Sequence, residues 1–417
     1  MFRSETYQPP VKGIVYVMKP EALAKIFVTQ ASKFEQSHLL RRIVSPVWRS
    51  GIATSIGGPW CWQRRAAALM FTPKSVAAIL PAANEAAHEI CEIWRGKAGV
   101  ECEITHDLGN PAQKVVLNGL LGKLCDFRSA AILQMHGAEL TKLTGRINYA
   151  DLLMFPNWTR RFLGPTLDKP AIGLHAVVNA RLTALENATS DEVKGPLLEL
   201  LSQSKDPETD NVMSQDQLYD NIVGSVAAGR ETTALSVACA LYLLALDKDT
   251  RKRVRDEVNA VLEDEDVTAE TLEQLQLTRN VVFEFMRLYP PAPQIARDCL
   301  EDADVAGIKI NKGTIDTIPI YAIHRNPDYW DQPNTFDPNR FFNPDVFAKQ
   351  NRFRYFPLGG GAQLCLGQAF VMAEAVTLVA RIIQNLQFSE AEDSKIELET
   401  GASLRAKGGI NRRLSPI

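Results

Sequence analysis

The chain has 417 residues, with 46 Lys and Arg against 49 Asp and Glu, a net charge of −3 and 46% hydrophobic residues. That length buries a core without disulfide staples, and the near-balanced charge argues against a surface built to neutralise nucleic-acid phosphates. Seven cysteines, an odd number with no Cys-x-x-Cys spacing and no zinc-like pairing with histidine, read as reduced thiols of a cytoplasmic protein.

In chain order, the opening MFRSETYQPPVKGIVYV lacks the basic-then-apolar layout of a signal peptide. No uninterrupted apolar run of about 18 residues offers a membrane span. GIVYVMKP reads as a short strand. NEAAHEICEIWRG has apolar positions at helical spacing and closes on glycine. PNWTRRFLGPTLDKP and SKDPETDN read as loops. The long segment from Ser214, SQDQLYDNIVGSVAAGRETTALSVACALYLLALDKD, is apolar almost all round, so it must run through the middle of the protein. TRKRVRDEVNAVLED predicts a charged helix, and TLEQLQLTRNVVFEFMRLYPP another, stopped by two prolines. From Ala292 to Phe356 short strands and turns follow. A helix comes after Cys365, and LRAKGGINRRLSPI predicts a closing hairpin. The whole reads as mainly α with small β-sheets, a single domain over 1–417 with no repeat and no linker.

Three stretches carry chemistry. In FPLGGGAQLCLGQAF, glycines lead into Cys365 one step before a helix whose apolar stripe includes Ala369, Phe370, Ala373 and Val376. A sulfur at a helix start is stabilised as thiolate by unpaired N–H groups and the helix dipole. The glycines permit tight turns and the approach of a bulky planar partner. Such a thiolate is a nucleophile or a metal ligand; otherwise Cys365 is a buried structural cysteine at a turn. In AAGRETTA, Arg230 and Glu231 interrupt the apolar helix, Thr232 can bond a carbonyl one turn back, and Gly229 weakens the helix there. This is either an acid–alcohol pair that relays protons into a pocket, or a kink at a packing crossing. Glu284 and Arg287 in EFMR share a helix face, but so do Glu92 and Arg95 in EIWR, a spacing that also serves a plain surface pair.

In their order, these elements resemble the cytochrome P-450 superfamily over nearly the whole chain. Phe356, Gly359, Cys365 and Gly367 fall in register with its Phe-x-x-Gly-x-x-x-(Arg/His)-x-Cys-x-Gly motif, and AGRETT matches its central-helix Ala-Gly-x-(Asp/Glu)-Thr-Thr. Glu284, Arg287 and Arg340 in FDPNRF match its Glu-x-x-Arg and arginine triad. Trp60 and Arg64 in WCWQR, and Arg297 in QIARDC, fall where the family meets the haem propionates.

The resemblance implies a haem sandwiched between the long helix and the cysteine loop, with haem b as cofactor and Cys365 as its axial thiolate ligand. It implies Glu231 and Thr232 as the pair moving protons toward dioxygen, and Glu284, Arg287 and Arg340 as a structural network. Ala227, Ala228, Pro293, Gln294 and Ile295 would border a hydrophobic substrate, beneath a mobile lid from about Gly145 to Pro170. The implied reaction is monooxygenation of an apolar small molecule by a monomeric enzyme. Its electrons would come from a separate ferredoxin and reductase, docking around Lys349, Arg352, Arg354, Arg64 and Arg65. A peroxygenase, isomerase or lyase, or a non-catalytic haem sensor, are the alternatives. Two departures stand out: Gln363 replaces the usual Arg or His of the motif, and few residues precede Trp60.

Overall fold

Ser214 opens the helix that organises the molecule. Its hydroxyl accepts from the Gln217 N–H at 3.2 Å, while the Gln217 side chain accepts from the Ser214 N–H at 3.0 Å. This capping box satisfies two otherwise orphaned donors. In the computed structural model, which describes residues 13–39, 41, 45, 48–121, 183, 196–389, 396–400 and 403–417, that helix runs unbroken from Gln215 to Leu246. Every residue from Thr233 to Ala245 is buried, as its all-round apolar pattern requires. The loop PNWTRRFLGPTLDKP and the expected lid, Gly145 to Pro170, lie outside the described residues.

Taking helices in chain order, α1 is Pro20–Ala24, α2 Gly57–Ala68, α3 Pro73–Gly96, α4 Ile104–Leu121, α5 Pro196–Gln203 and α6 the central helix. Then come α7 Lys248–Leu262, α8 Ala269–Gln274, α9 Gln276–Leu288, α10 Ile320–Ile323 and α11 Gln368–Asn385. Helices α4, α9 and α11 pack on α6, and α3 packs on α4 and α11. They share one apolar cluster including Trp94, Leu108, Leu241, Phe285 and Leu378. Each such side chain contributes about 1.5–3 kcal/mol on burial. The stretch TLEQLQLTRNVVFEFMRLYPP, expected as one helix, is two. Glu257 of α7 accepts from the N–H groups of Leu277 and Thr278 at 2.7 and 2.8 Å, so a carboxylate twenty residues upstream caps a fresh helix start and the chain breaks at Leu275.

Strands β1 (Gly13–Tyr16), β7 (Thr314–Ile318), β4 (Ile295–Cys299) and β2 (Phe34–Gln36) form one sheet in that order, with β1 parallel to β7 and the other pairs antiparallel. Its register sets Arg297 opposite Asp316. Strands β5 (Ala303–Val305) and β6 (Ile308–Ile310) pair alone. LRAKGGINRRLSPI is not the expected hairpin. Strand β10 (Leu404–Ala406) pairs with β9 (Leu398–Thr400), whereas β11 (Asn411–Pro416) lies between β3 (Glu101–Glu103) and β8 (Leu386–Ser389). Gly408 and Gly409, with φ of +77° and +79°, turn the chain from one sheet to the other. Among the described residues no single helix is long and apolar enough to cross a membrane.

Candidate active site

The loop before α11 is held from both ends. The Phe356 N–H donates to His324 Nε2 at 3.0 Å, and the Cys365 N–H donates to the Leu358 carbonyl at 3.0 Å. Gly359 and Gly361 take φ of +83° and +68°, where glycine is favoured, and a Cβ on Gly361 would strike the Phe27 carbonyl. These glycines serve the turns and the close approach of the Phe27 backbone. Helix α11 starts at Gln368 with Gly367 as its N-cap, so Cys365 lies three residues ahead of the helix, not one. Its sulfur is served by the Gly367 N–H. A Cβ at Gly367 would sit 4.0 Å from that sulfur.

The environment of Cys365 combines two properties. Its side chain is exposed to water-sized contact, yet burial dominates and pushes the thiol up, with the Gly367 N–H and the Arg64 guanidinium pulling the other way. A sulfur both accessible and desolvated can be reached by a ligand without being bathed in solvent. Ala228, in the middle of α6, is exposed as well. A thiol there gives up its proton to a bound metal.

Two cations border this region differently. Arg64 is half-buried, its Nη2 donating to the Leu364 carbonyl at 2.6 Å and its guanidinium 5.6 Å from the Trp60 ring centroid. Arg297 is 7% exposed, 5.4 Å from the Phe27 ring centroid, and its Nη1 donates only to its neighbour's carbonyl, Ala296 O, at 2.9 Å. Among the described residues no carboxylate lies within ion-pair distance of Arg297, and desolvation pushes it down to about 10. A buried guanidinium without an acid calls for an anion. Trp60, Arg297, Gly360 and Gln363 line one cleft of about 250 Å³. An accessible soft sulfur, and a buried arginine without an ion-pair partner lining a cleft with Gln363 two residues before that sulfur, fit a metal-bearing macrocycle with carboxylate arms, so the residues present suit haem. Gln363 adds an amide to that cleft but no charge.

On α6, the Thr232 hydroxyl donates to the Ala228 carbonyl at 2.6 Å, a back-bond of the kind expected. Glu231 Oε1 accepts from Ser403 Oγ and from Arg405 Nε, both at 3.0 Å; nothing in the sequence flagged either partner. Gly229 is there for packing, since a Cβ would come within 2.5 Å of Val116 on α4. Ala227 and Ala228 lie on the same stretch of α6, while Pro293 is buried and its carbonyl accepts from the Tyr321 N–H at 2.9 Å. Gln294 and Ile295 border a separate cavity of about 50 Å³ with Ile14, Tyr16 and Leu39.

Glu284 and Arg287 are both fully buried and doubly bonded, at 2.7 and 2.8 Å, and Arg340 Nε stands 3.4 Å from Glu284. Arg287 also donates to the carbonyls of His324, Pro333 and Thr335. Glu92 and Arg95 form the exposed pair expected. His324 was missed: a lone histidine gives no sequence signal, yet it hangs the cysteine loop from α10. Burial pushes it down to about 3, which keeps the ring neutral and Nε2 an acceptor. Of the basic residues expected to dock a partner, Lys349 and Arg65 are exposed and Arg352 is half-buried over Phe353. Arg64 is turned inward, and Arg354 rests on Tyr329 with a buried Nε.

A sequence model of the family described as cytochrome P-450 matches residues 6–410. Cytochrome P-450 714A2 of Arabidopsis thaliana is 27% identical over 93% of this chain and 76% of its own length. Cytochrome P-450 3A13 of Mus musculus is 31% identical over 60% of this chain and 51% of its own. The structure of a retinoic acid bound cyanobacterial CYP120A1 superposes with a TM-score of 0.81 at 23% identity, over 97% of this chain and 89% of that one.

Proposed function

Since the chain belongs to the cytochrome P-450 family, and is therefore a haem-thiolate monooxygenase, we propose that Cys365 supplies the thiolate and that the 417 residues act as one catalytic unit. The observation that carries this reading is the Cys365 sulfur, accessible yet desolvated, with the Gly367 N–H upon it. Haem, when bound, supplies the activation of dioxygen that no side chain provides. Arg297, Arg64, Trp60 and Gln363 would hold its carboxylates by charge-assisted and neutral hydrogen bonds.

Glu231 and Thr232 divide the proton work. With its proton on the Ala228 carbonyl, the Thr232 oxygen stands as an acceptor and must release that carbonyl before it donates. Glu231 is the proton reservoir, its carboxylate held by Ser403 and Arg405. Replacing Glu231 by Gln is expected to slow turnover about 10²-fold. Replacing Thr232 by Ala should leave electron uptake running while product per electron falls. Reductant consumption, peroxide and product measured together check both, and full coupling in Thr232→Ala would remove Thr232 from the relay. Turnover with reductant and O₂, set against turnover with peroxide alone, tests the reaction class.

The substrate is a hydrophobic small molecule, bordered by the methyl side chains of Ala227 and Ala228 and held mainly by shape. Electrons come from a separate acidic carrier of the ferredoxin type, meeting Lys349, Arg352 and Arg65. Reversing Lys349 and Arg352 to Glu is expected to slow electron transfer about tenfold at low salt and to flatten its salt dependence. Unchanged stopped-flow reduction rates would remove this docking face.

A further inference from the structure

Asp316, on β7, is completely buried, and neither of its carboxylate oxygens has a hydrogen-bond partner. It stands directly opposite Arg297 across the β4–β7 pair, so both side chains leave the same face of the sheet. That face is apolar. Ile318 and Cys299, on either side of the two, belong to the cluster of Phe27, Phe34 and Phe356. A buried acid without partners and a buried base without an acid thus sit side by side, not joined in an ion pair. Neither arrangement is stable for a charged group unless something else completes it.

We infer that Asp316 is the internal counter-charge of Arg297, and that it makes the grip of Arg297 on a haem carboxylate proton-linked. This rests on the reading above that haem carboxylates meet Arg297. When Arg297 takes an anionic ligand, its positive charge is spent on that ligand, and an ionised Asp316 is left as a like charge beside it. Ligand uptake therefore favours the protonated acid, and haem binding takes up a proton at Asp316.

The surroundings allow this titration at ordinary pH. Burial, with the like charge of Asp298 adding to it, pushes Asp316 up to about 7. From β4 it is faced by Arg297 and the Cys299 thiol. The Asp298 side chain leaves the opposite face, where its carboxylate binds His38 at 2.8 Å. From β2 come Gln36 opposite Arg297 and, on the Asp298 side, Glu35, itself raised by burial. From β1 comes Val15, which is uncharged. Among the described residues Arg297 is the one cation across from Asp316 in the sheet register.

The sign follows by linkage. The acid has a higher pKa with the ligand bound than without. Haem affinity is therefore flat below about pH 7 and falls as pH rises above it.

The test is haem transfer from the purified holoprotein to excess haem-free myoglobin, followed by absorbance from pH 6 to 9. The wild-type release rate should climb above pH 7, approaching at most about tenfold per pH unit. Asp316→Asn, which keeps the shape, and Asp316→Leu, which suits the apolar face, should each lose that climb. Arg297→Gln should release haem faster throughout and be insensitive to a second change at Asp316. A wild-type slope retained in both Asp316 variants overturns the inference while leaving Arg297 in its role. Unchanged release from Arg297→Gln overturns it together with the carboxylate role of Arg297.

Discussion

Replacing Cys365 by histidine is expected to leave haem in the protein and lower monooxygenase turnover about 10³-fold or more, some 4 kcal/mol of activation free energy. The reason is electronic. A thiolate pushes electron density onto the iron and favours O–O cleavage, whereas a neutral imidazole does not. The local structure makes the swap a fair one. The Cys365 side chain is exposed, and its N–H is held by the Leu358 carbonyl whatever the side chain is. The check is the spectrum of the reduced protein with carbon monoxide: thiolate-type for the wild type, imidazole-type for Cys365→His, and neither for Cys365→Ala. A Cys365→Ala protein with the wild-type spectrum would show that another group binds the iron.

The second large effect is on folding. Glu284→Ala is expected to cost about 3–5 kcal/mol, because it strands the Arg287 charge in a site with no exposure at all. Arg287 keeps three carbonyl acceptors and lies 5.0 Å from the Trp330 ring centroid, which softens the loss without neutralising the charge. Against a total stability of about 5–15 kcal/mol, that is enough to leave much of the protein unfolded or without haem. Glu284→Gln keeps one acceptor for Arg287 and should fall between. Urea midpoints and haem content decide it. A Glu284→Ala protein with a wild-type midpoint would mean that the carbonyls alone satisfy Arg287. The acid also accepts from the Asp337 N–H at 2.9 Å, so its removal frees the segment carrying Arg340 as well.

Local chemistry was legible in the sequence where a short stretch carries both the signal and its consequence. Ser214 announces the start of α6, and Glu284 with Arg287 announces a shared helix face. The motif order located the cysteine loop and the acid–alcohol turn. What stayed hidden depends on residues far away in sequence. The Gly-Gly between two alternating stretches at the C-terminus has the pattern of a hairpin, yet pairing is decided by which edges are available, and β11 finds β3 and β8. Leu275 looks like helix interior until Glu257 caps Leu277 and Thr278. Gly361 is fixed by Phe27, and Gly229 by Val116. That Arg297 has no carboxylate within ion-pair distance among the described residues, although Asp316 lies opposite it in the sheet, and that His324 holds Phe356, are facts only the fold supplies.

The hold on Glu231 also bears on the order in which the site is assembled during synthesis. The helix that carries this acid can pack early, because its neighbours α4 and α9 flank it in the chain. Ser403 and Arg405 leave the ribosome 172 and 174 residues after it. The scaffold can therefore form while the carboxylate still lacks its final anchors. The segment carrying Ser403 and Arg405 is small in mass, but it decides when the Glu231 carboxylate takes the orientation described above.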